Sequence, residues 1–417
     1  MRYVILGNGP AGVSAFIAAR EADPHGEITI VSPERHRYYS KILLSYWIGG
    51  KVPEERLFLA DEDFYVRRRA NTLLGVGAVS IDCPACEVVL ADGRRIPYDR
   101  LLLAMGSSPD MPDIPGADLA GVHCLRTLDD AKAIADSARA GGRAIVIGGG
   151  LVGLKTAEAF LALGRDVALV VSSKRMLSQI TSDADSEATL AILDRPKVRV
   201  LLGCDVLEIG GRGRAEWAKL STGETLECGV VVAAKGVSPN TSMAADAGIR
   251  VNRGVLVNDR METSVPGVFA AGDLTEAYDI SRGKPYVNGL WSKAVTQGRI
   301  AGYNMAGREV HSPGYVAWNS VTFDGECLAS IGRPREEPGD EVLTFRDPAG
   351  GYRRLVLRDG RLVGAVLMGA PVRTGGVLLS LVQRMVNAEE VEGVFSGAPV
   401  TFGRLARSAS RLGRPVK

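Results

Sequence analysis

The sequence predicts an α/β protein built around two Rossmann-like nucleotide-binding units. The prediction depends on an order of segments that occurs twice: a short apolar run, a glycine turn, an apolar helical segment and a second apolar run. The first glycines of the two turns, Gly7 and Gly148, stand 141 residues apart. This order is the context that a dinucleotide-binding fingerprint requires. At 417 residues the chain is long enough for two or three domains.

The composition is that of an ordinary globular protein. The 50 Lys and Arg residues nearly balance 48 Asp and Glu, which argues against a dedicated nucleic-acid binder. No apolar run reaches the roughly 18 residues that cross a bilayer, and Met1 is followed directly by a strand pattern without a signal peptide. The six cysteines and four histidines show no metal-binding spacing. We therefore expect a cytoplasmic protein with no nucleic-acid partner, no membrane partner and no metal site.

The first unit starts at the N-terminus, with residues 3–6 as the strand and residues 28–31 as the next strand. In the G-x-G-x-x-G turn, the first glycine makes the turn and the second lets the backbone approach a pyrophosphate. The third glycine lets the helix pack on the strand. The helix N-terminus offers free N–H groups to the phosphates. The predicted nucleotide contacts here are Gly7, Gly9, Pro10, Ala11 and Gly12.

The acidic residue expected to bind the ribose of this nucleotide is slightly displaced. Position 32 is Ser, and Glu34 follows two residues later. Glu34 is the predicted ribose ligand. The alternative is a solvated loop glutamate, since Arg35 and Arg37 flank it.

The second unit has residues 144–147 as its strand, a helix over 154–163 and a further strand over 167–171. Two such units predict two bound dinucleotides, FAD and a nicotinamide nucleotide, placed so that hydride passes between them. The predicted nicotinamide-nucleotide contacts in the turn are Gly148, Gly150, Leu151, Val152 and Gly153.

The end of the second strand carries no acid that would select NAD. Ser173, Lys174 and Arg175 follow Val171, and all three are predicted nucleotide contacts. The two cations could hold the 2′-phosphate of NADP, or they could be solvated loop residues. NAD is the predicted nucleotide, with NADP left open.

Four later segments resemble motifs of the FAD-dependent pyridine nucleotide–disulfide oxidoreductase superfamily. Residues 98–109 resemble the segment that closes the FAD domain, and 233–240 resemble the return from the nicotinamide domain. Residues 263–273 resemble the second FAD motif, whose Asp binds the ribityl and phosphate portion of FAD. Residues 290–298 resemble the helix start that points at the flavin pyrimidine. The resemblance covers about residues 1–310.

The resemblance implies nested FAD-binding and NAD(P)-binding Rossmann-like domains and a small α/β C-terminal interface domain. It places the FAD-binding domain at residues 1–112 and 241–311, the NAD(P)-binding domain at 113–240, the interface domain at 312–403 and a basic tail at 404–417. Further implied FAD contacts are Lys41, Ser45, Ala78, Ala104, Gly106, Gly272, Asp273, Leu290 and Trp291. Further implied nicotinamide contacts are Ala234 and Gly236.

The chain departs from the disulfide-reducing members of the superfamily. Ile42 stands where one branch has its redox cysteine, so electrons that reach the flavin must leave for another acceptor. The surrounding segment, 38–45, resembles the ferredoxin-, rubredoxin- and nitrite-reductase branch, with Lys41 in place of the usual Arg. This resemblance implies an iron–sulfur or ferredoxin-like partner.

Two positions depart from the oxygenase-type ferredoxin reductases, which have a Lys–Glu pair at the flavin. Tyr46 and Lys155 occupy those positions here, so the sequence predicts one cation without its acid. Both are predicted catalytic residues, with Lys155 near flavin N5 favouring the anionic reduced flavin. The alternative is that Lys155 is a partly exposed helix lysine.

The segments around Lys41 and Lys155 also resemble the small FAD subunits of multi-subunit anaerobic oxidoreductases, such as phenylglyoxylate dehydrogenases and tungsten-dependent aldehyde oxidoreductases. The resemblance implies hydride exchange with NAD(P) and transfer of single electrons to an iron–sulfur subunit. One alternative is a standalone rubredoxin or ferredoxin reductase, for which a homodimer is possible. Another is a flavin-bearing interaction protein similar to apoptosis-inducing factor.

The remaining candidate features have structural alternatives. Cys83 and Cys86 form a C-x-x-C between two strand patterns, and a hairpin turn is favoured over a redox or metal site. Residues 343–345, 352–357 and 362–367 predict strands, and residues 378–386 predict a helix. The basic tail is either solvated or docks on an acidic partner.

Overall fold

Two parallel five-stranded sheets and one antiparallel five-stranded sheet organise the molecule. The computed structural model describes residues 1–346 and 351–387. The strands at the centre of both parallel sheets are short apolar runs that are buried on both faces. Such runs are typical of parallel sheets covered by helices.

Residues 1–112 contribute four strands to the first parallel sheet and form a separate three-stranded antiparallel sheet. The elements are β1 (Arg2–Leu6), α1 (Pro10–Ala22), β2 (Glu27–Ser32), α2 (Leu44–Ile48), α3 (Phe64–Arg67), β3 (Ala70–Leu74), β4 (Ala78–Asp82), β5 (Glu87–Leu90), β6 (Arg95–Pro97), β7 (Arg100–Leu103) and β8 (Ser107–Pro109). Strands β4, β5 and β6 form the antiparallel sheet.

Residues 113–240 contain the second parallel sheet. The elements are β9 (Val122–Cys124), α4 (Leu128–Arg139), β10 (Ala144–Ile147), α5 (Leu151–Ala162), β11 (Val167–Val171), α6 (Ser186–Leu193), β12 (Val198–Leu202), β13 (Val206–Gly210), β14 (Trp217–Leu220), β15 (Thr225–Glu227), β16 (Val230–Ala233) and β17 (Val237–Pro239). The sheet has the order β12, β11, β10, β16, β9, and β13 to β15 form a small antiparallel sheet. Strand β17 pairs antiparallel with β8 and so connects this part to the first.

Residues 241–311 return to the first parallel sheet. The elements are α7 (Ser242–Asp246), β18 (Val255–Leu256), β19 (Val268–Ala270), β20 (Thr275–Asp279), β21 (Lys284–Val287) and α8 (Trp291–Met305). Strand β19 completes the order β19, β7, β1, β2, β3, which confirms the predicted nested arrangement. Helix α8 packs directly on α1, and Gly298 and Gly302 allow this close approach. A β-carbon on Gly298 would overlap the carbonyl of Ala11, and one on Gly302 would overlap the carbonyl of Ala15.

The described residues of the C-terminal part, 312–346 and 351–387, form an antiparallel sheet with one α-helix packed on it. The elements are β22 (Trp318–Phe323), β23 (Glu326–Gly332), β24 (Glu341–Arg346), β25 (Tyr352–Arg358), β26 (Arg361–Met368) and α9 (Gly375–Gln383). The three predicted strands are confirmed, and the predicted helix begins and ends three residues earlier than expected. Short 3₁₀ helices in the described chain span Lys41–Leu43, Glu54–Leu57, Asp183–Asp185 and Ala370–Thr374.

A buried ion pair joins the C-terminal sheet to the second parallel-sheet part. Arg354 donates through Nε to Asp185 at 2.9 Å, and the Tyr352 hydroxyl donates to the same carboxylate at 2.7 Å. Both members of the ion pair are buried, Asp185 completely. Removing one partner of such a pair leaves a buried charge, so we expect this contact to hold the two parts together.

The domain boundaries stay predictions. Residues 388–403 of the predicted interface domain, and the predicted basic tail at 404–417, lie outside the described residues. None of the helices in the described part of the chain has the length and apolar character needed to cross a bilayer.

Candidate functional site

The first glycine turn has a backbone that only glycine tolerates at two positions. Gly7 has φ +120°, and a β-carbon there would overlap the carbonyl of Ala104. A β-carbon on Gly12 would overlap the carbonyl of Gly7. Gly9, the N-cap of α1, has no heavy atom within 4 Å of the place a β-carbon would take. The protein thus closes around Gly7 and Gly12 and leaves the helix N-terminus open at Gly9, which fits a pyrophosphate.

The predicted FAD residues from three strands meet at the carboxyl edge of the first sheet. The amide of Ala104 donates to Leu6 at 2.8 Å, which places the segment after β7 beside the glycine turn. Gly272, with φ +91°, follows β19, and a β-carbon there would lie 3.1 Å from that of Ala11. Ligands bind at this edge in parallel α/β sheets.

Asp273 is bound by two side chains from other parts of the chain. Its Oδ2 accepts from Ser107 Oγ at 3.1 Å and from Arg126 Nη2 at 3.0 Å. Arg126 also lies beside Gly106, where a β-carbon would be 3.1 Å from its Nη2. We identify Arg126 as a site residue that sequence reasoning missed. It stands 147 positions from Asp273, and no local pattern marks it.

Glu34 is engaged at the carboxyl end of β2. Its carboxylate accepts from Lys41 Nζ at 2.6 Å and from the Tyr39 hydroxyl, and its side chain is 25% exposed. It is therefore not the solvated loop residue of the alternative. Burial lowers the pKa of Lys41, although Glu34 acts in the opposite direction. Lys41 thus lies beside Glu34 at the predicted adenine-ribose end of the site.

The other predicted FAD residues approach the same edge from α2, β4 and α8. Ser45 is buried on α2. In the turn before Ala78, the amide of Gly75 donates to the carbonyl of Ser32 at 2.9 Å. This hydrogen bond brings the start of β4 to the end of β2. Leu290 is the N-cap of α8, and the ring of Trp291 stacks on Tyr38 with centroids 6.0 Å apart.

The second glycine turn repeats the first. Gly148 has φ +124°, and its β-carbon would overlap the carbonyl of Ala234, while that of Gly153 would overlap the carbonyl of Gly148. Gly150 is the N-cap of α5, which begins with Leu151 and Val152, and no atom lies within 4 Å of its β-carbon position. Gly236, with φ +125°, follows Ala234 past the end of β16. The predicted nicotinamide contacts around this turn therefore lie together.

The two cations in the loop after β11 differ in exposure and in pairing. Arg175 pairs with Asp183 and is only 19% exposed. The Ser173 hydroxyl donates to the carbonyl of Arg175 and folds the loop back on itself. Lys174 is exposed and has no ion pair with a described residue. Of the two cations, Lys174 is the one open to a further phosphate.

The prediction that Lys155 has no acid beside it is wrong. Glu158, one turn later on α5, pairs with Lys155 Nζ and accepts from Lys51 Nζ at 2.8 Å. Lys155 also donates to the carbonyl of Thr322 at 3.2 Å and lies 4.1 Å from the ring centroid of Tyr46. The missed signal is the i, i+3 spacing of Lys155 and Glu158, which places both on one helix face.

This cluster is partly shielded from solvent, which strengthens its interactions. Lys155 is 16% and Glu158 8% exposed. Burial acts to raise the pKa of Glu158, but the two lysines outweigh it and lower the pKa. The hydrogen bond to Thr322 and the neighbouring Lys155 lower the pKa of Tyr46. Residues of α2, α5 and β22 thus meet around one ammonium group that can donate hydrogen bonds.

The six cysteines are all unpaired thiols. Cys83 and Cys86 lie in the turn between β4 and β5, which confirms the predicted hairpin. Cys86 has φ +56°, a turn conformation, and burial raises the pKa of Cys83. A raised thiol pKa disfavours the reactive thiolate, which supports the structural interpretation of this pair.

Two dinucleotide sites of equal backbone geometry, on sheets connected by β8 and β17, define a dinucleotide-dependent oxidoreductase. Residues 1–298 match the family described as pyridine nucleotide-disulphide oxidoreductase. Residues 319–373 match the family described as rubredoxin NAD⁺ reductase C-terminal domain. The chain belongs to the pyridine nucleotide-disulphide oxidoreductase family. Membership confirms the predicted family, enzyme class and FAD and nicotinamide cofactors.

Two relatives and one solved structure show how far the similarity extends. The chain is 31% identical over 407 residues to the NADH-dependent phenylglyoxylate dehydrogenase subunit epsilon of Aromatoleum evansii, covering 97% of this chain and 96% of that one. It is 30% identical over 380 residues to the rubredoxin-NAD⁺ reductase of Pseudomonas putida, covering 90% and 98%. The covalent putidaredoxin reductase–putidaredoxin complex shares the fold, with a TM-score of 0.90, 24% identity, and coverage of 98% and 99%.

Proposed function

We propose that this chain exchanges hydride with NADH and passes electrons singly to an iron–sulfur or rubredoxin-type partner, as the flavin subunit of a larger oxidoreductase. FAD supplies the conversion between one two-electron and two one-electron steps. Similarity over nearly the full length of a phenylglyoxylate dehydrogenase subunit supports the subunit role. The C-terminal match to a rubredoxin NAD⁺ reductase domain supports an iron-protein partner.

The observation that carries the proposal is the meeting of three parts of the chain at Lys155. Helix α5, which starts at the nicotinamide turn, contacts α2 of the FAD-binding part and β22 of the C-terminal part at this residue. A side chain at that junction lies between the two nucleotide sites and the sheet that matches the rubredoxin reductase domain. We assign Lys155 the role of a hydrogen-bond donor toward the flavin, with Glu158 and Tyr46 fixing its position.

The proposed FAD contacts divide into three groups. The open N-terminus of α1 at Gly9 binds the pyrophosphate, together with Arg126. Glu34 binds the adenine ribose and Asp273 the ribityl chain. The start of α8, at Leu290 and Trp291, directs its free N–H groups to the flavin ring.

We propose NADH as the nucleotide at the second site. Arg175, the more buried of the two cations after β11, pairs with Asp183, which competes with a 2′-phosphate for the guanidinium. The A. evansii relative is named as NADH-dependent, which agrees with this choice. We place the protein in the cytoplasm, where six unpaired thiols are chemically stable.

Anaerobic reduction and reoxidation test the proposal. The FAD-loaded chain is reduced with one equivalent of NADH and then mixed with oxidised rubredoxin, oxidised clostridial-type ferredoxin or air-saturated buffer. We expect each NADH to yield NAD⁺, one proton and two equivalents of reduced iron protein. Fast reoxidation by oxygen with neither iron protein reduced would contradict the proposal and indicate an oxidase.

A standalone reductase is the second candidate, and the P. putida rubredoxin-NAD⁺ reductase favours it because the chain covers 98% of that relative. Anaerobic purification from the native host distinguishes the two. Stoichiometric co-purification of iron-rich subunits supports the subunit role. A yellow protein without iron or companions supports the standalone enzyme.

A further inference from the structure

Lys293 is a fully enclosed cation in the FAD-binding part that the proposed reaction does not use. It lies in the first turn of α8 and is 1% exposed. A buried lysine normally pairs with a carboxylate. Within residues 1–346 and 351–387, no carboxylate lies within ion-pair distance of Lys293. The start of a helix is also an unfavourable place for a cation, because the helix dipole is positive there.

The ammonium is instead bound by three backbone carbonyls. Lys293 Nζ donates to Thr275 at 3.1 Å, to Asn288 at 3.1 Å and to Gly272 at 3.5 Å. Three acceptors match the three protons of an ammonium group. Burial lowers the pKa of Lys293 to about 8, so the group remains mostly charged at neutral pH.

These three carbonyls flank the residues proposed to bind FAD. Gly272 directly precedes Asp273, and Asn288 comes two residues before Leu290, the N-cap of α8. Between them, Gly289 would place a β-carbon 3.5 Å from the carboxyl carbon of Asp273. Lys293 therefore connects the loop of Asp273 to the start of the helix.

Gln297, one turn further along α8, binds the other side of the same loop. Its Oε1 accepts from the amide of Gly272 at 2.9 Å and from the hydroxyl of Thr275 at 2.8 Å. Gln297 is also buried, but it carries no charge. The two residues thus bind the same loop, and only one of them carries a positive charge.

We propose that Lys293 is a positioning residue for FAD whose buried charge also stabilises the reduced, more negatively charged flavin. The proposal rests on FAD binding at the first glycine turn, and it goes beyond hydride exchange. Three carboxyl or hydroxyl groups and one cation face Lys293. They are Asp273 on the loop, Asp279 at the end of β20 with its neighbour Arg282, and Tyr315, which contacts the first turn of α8.

The test compares Lys293→Met with Gln297→Leu in the full chain. Both variants lose hydrogen bonds to the same loop, so both should raise the dissociation constant of FAD by about tenfold or more. Only Lys293→Met should lower the flavin midpoint potential, measured by dye equilibration with a chemical reductant at pH 7. An unchanged potential in Lys293→Met, or an equal shift in both variants, would overturn the charge role.

The pH dependence of the flavin potential gives a second readout, in which Lys293→Gln replaces Lys293→Met as the uncharged variant. Raising the pH from 7 to 9.5 removes the charge of Lys293. The flavin midpoint potential of the wild-type protein should therefore fall more steeply with pH than that of a Lys293→Gln protein. Parallel pH profiles would contradict the proposal. Because a chemical reductant replaces NADH, these measurements are independent of the proposed nicotinamide reaction.

Discussion

The two glycine turns of this protein have the same backbone and different side chains. In both turns the first glycine has φ near +120° and lies against the carbonyl that follows a neighbouring strand. The position 22 residues beyond the last glycine is Glu34 in the first unit and Arg175 in the second. Each is paired, Glu34 with Lys41 and Arg175 with Asp183. The two units therefore share the backbone of the glycine turn and differ in the charge at the end of the second strand.

The helices after the two turns differ in the same way. At the second and fifth positions past the last glycine, α1 carries Ser14 and Ile17, whereas α5 carries Lys155 and Glu158. Only the second helix has an ion pair at these positions. Helix α5 thus carries a charged pair on the face where α1 carries Ser14 and Ile17, and our proposal gives only the side chains of α5 a role at the flavin.

Substitution of the first glycine in each turn should have the largest effect. Gly7→Ala and Gly148→Ala each force a β-carbon onto a carbonyl at positive φ, and each should destabilise the protein by about 3 kcal/mol or more. Gly7→Ala should lose FAD. Gly148→Ala should keep FAD but be reduced by NADH about 100-fold more slowly. Flavin absorbance per protein and the rate of flavin bleaching measure the two effects.

The middle glycines provide matched controls. A β-carbon on Gly9 or Gly150 meets no protein atom within 4 Å. Gly9→Ala and Gly150→Ala should therefore unfold in denaturant within about 0.5 kcal/mol of the wild type, measured without nucleotide. Each should still weaken its own nucleotide. Wild-type affinity for FAD in Gly9→Ala and for NADH in Gly150→Ala would show that the turns do not bind pyrophosphates.

Removing the acid on α5 should have an intermediate effect. Glu158→Gln leaves two lysines without their carboxylate and should lower the free energy of unfolding at pH 7 by about 1–3 kcal/mol. The pKa of Glu158 is lowered by folding, so this stabilisation is present above the unfolded value near 4.5. It is lost as the pH falls through the folded value. Denaturant unfolding from pH 7 to pH 3 should show the difference between wild type and variant narrowing.

The two lysines paired with Glu158, Lys155 and Lys51, should differ in their effects on stability and on the hydride rate. Lys155 is 16% exposed and Lys51 is 42% exposed. Lys155→Met should therefore change both stability and hydride rate, while Lys51→Met should change stability by less than about 1 kcal/mol. Equal hydride rates in the two variants would remove Lys155 from the proposed site.

Sequence reasoning predicted the two glycine turns and the strands before them because these features are local. Gly7, Gly148 and the apolar strands beside them lie within short windows, and the resemblance placed Asp273 and Gly272 at the same edge. The contacts of Arg126 and Lys293 were not predicted. Arg126 reaches Asp273 across 147 positions, and the enclosure of Lys293 depends on how α8 packs on the loop. Side-chain partners of this kind are decided by tertiary packing, which periodicity and motif spacing do not encode.

The smallest expected effect concerns the choice between the two nicotinamide nucleotides. Lys174 is exposed, and exposed cations contribute about 0.2–1 kcal/mol to binding an anion. Lys174→Ala should therefore lower kcat/KM for NADPH by about two- to fivefold and leave kcat/KM for NADH unchanged. Arg175→Ala should lower kcat/KM for NADPH by a smaller factor, because Asp183 already pairs with the guanidinium. A larger loss for NADPH in Arg175→Ala than in Lys174→Ala would show that Arg175 leaves Asp183 to bind the 2′-phosphate. In that case the positive charge of Arg175 at the end of the second strand would favour NADPH. The proposal of NADH at the second site would then be wrong.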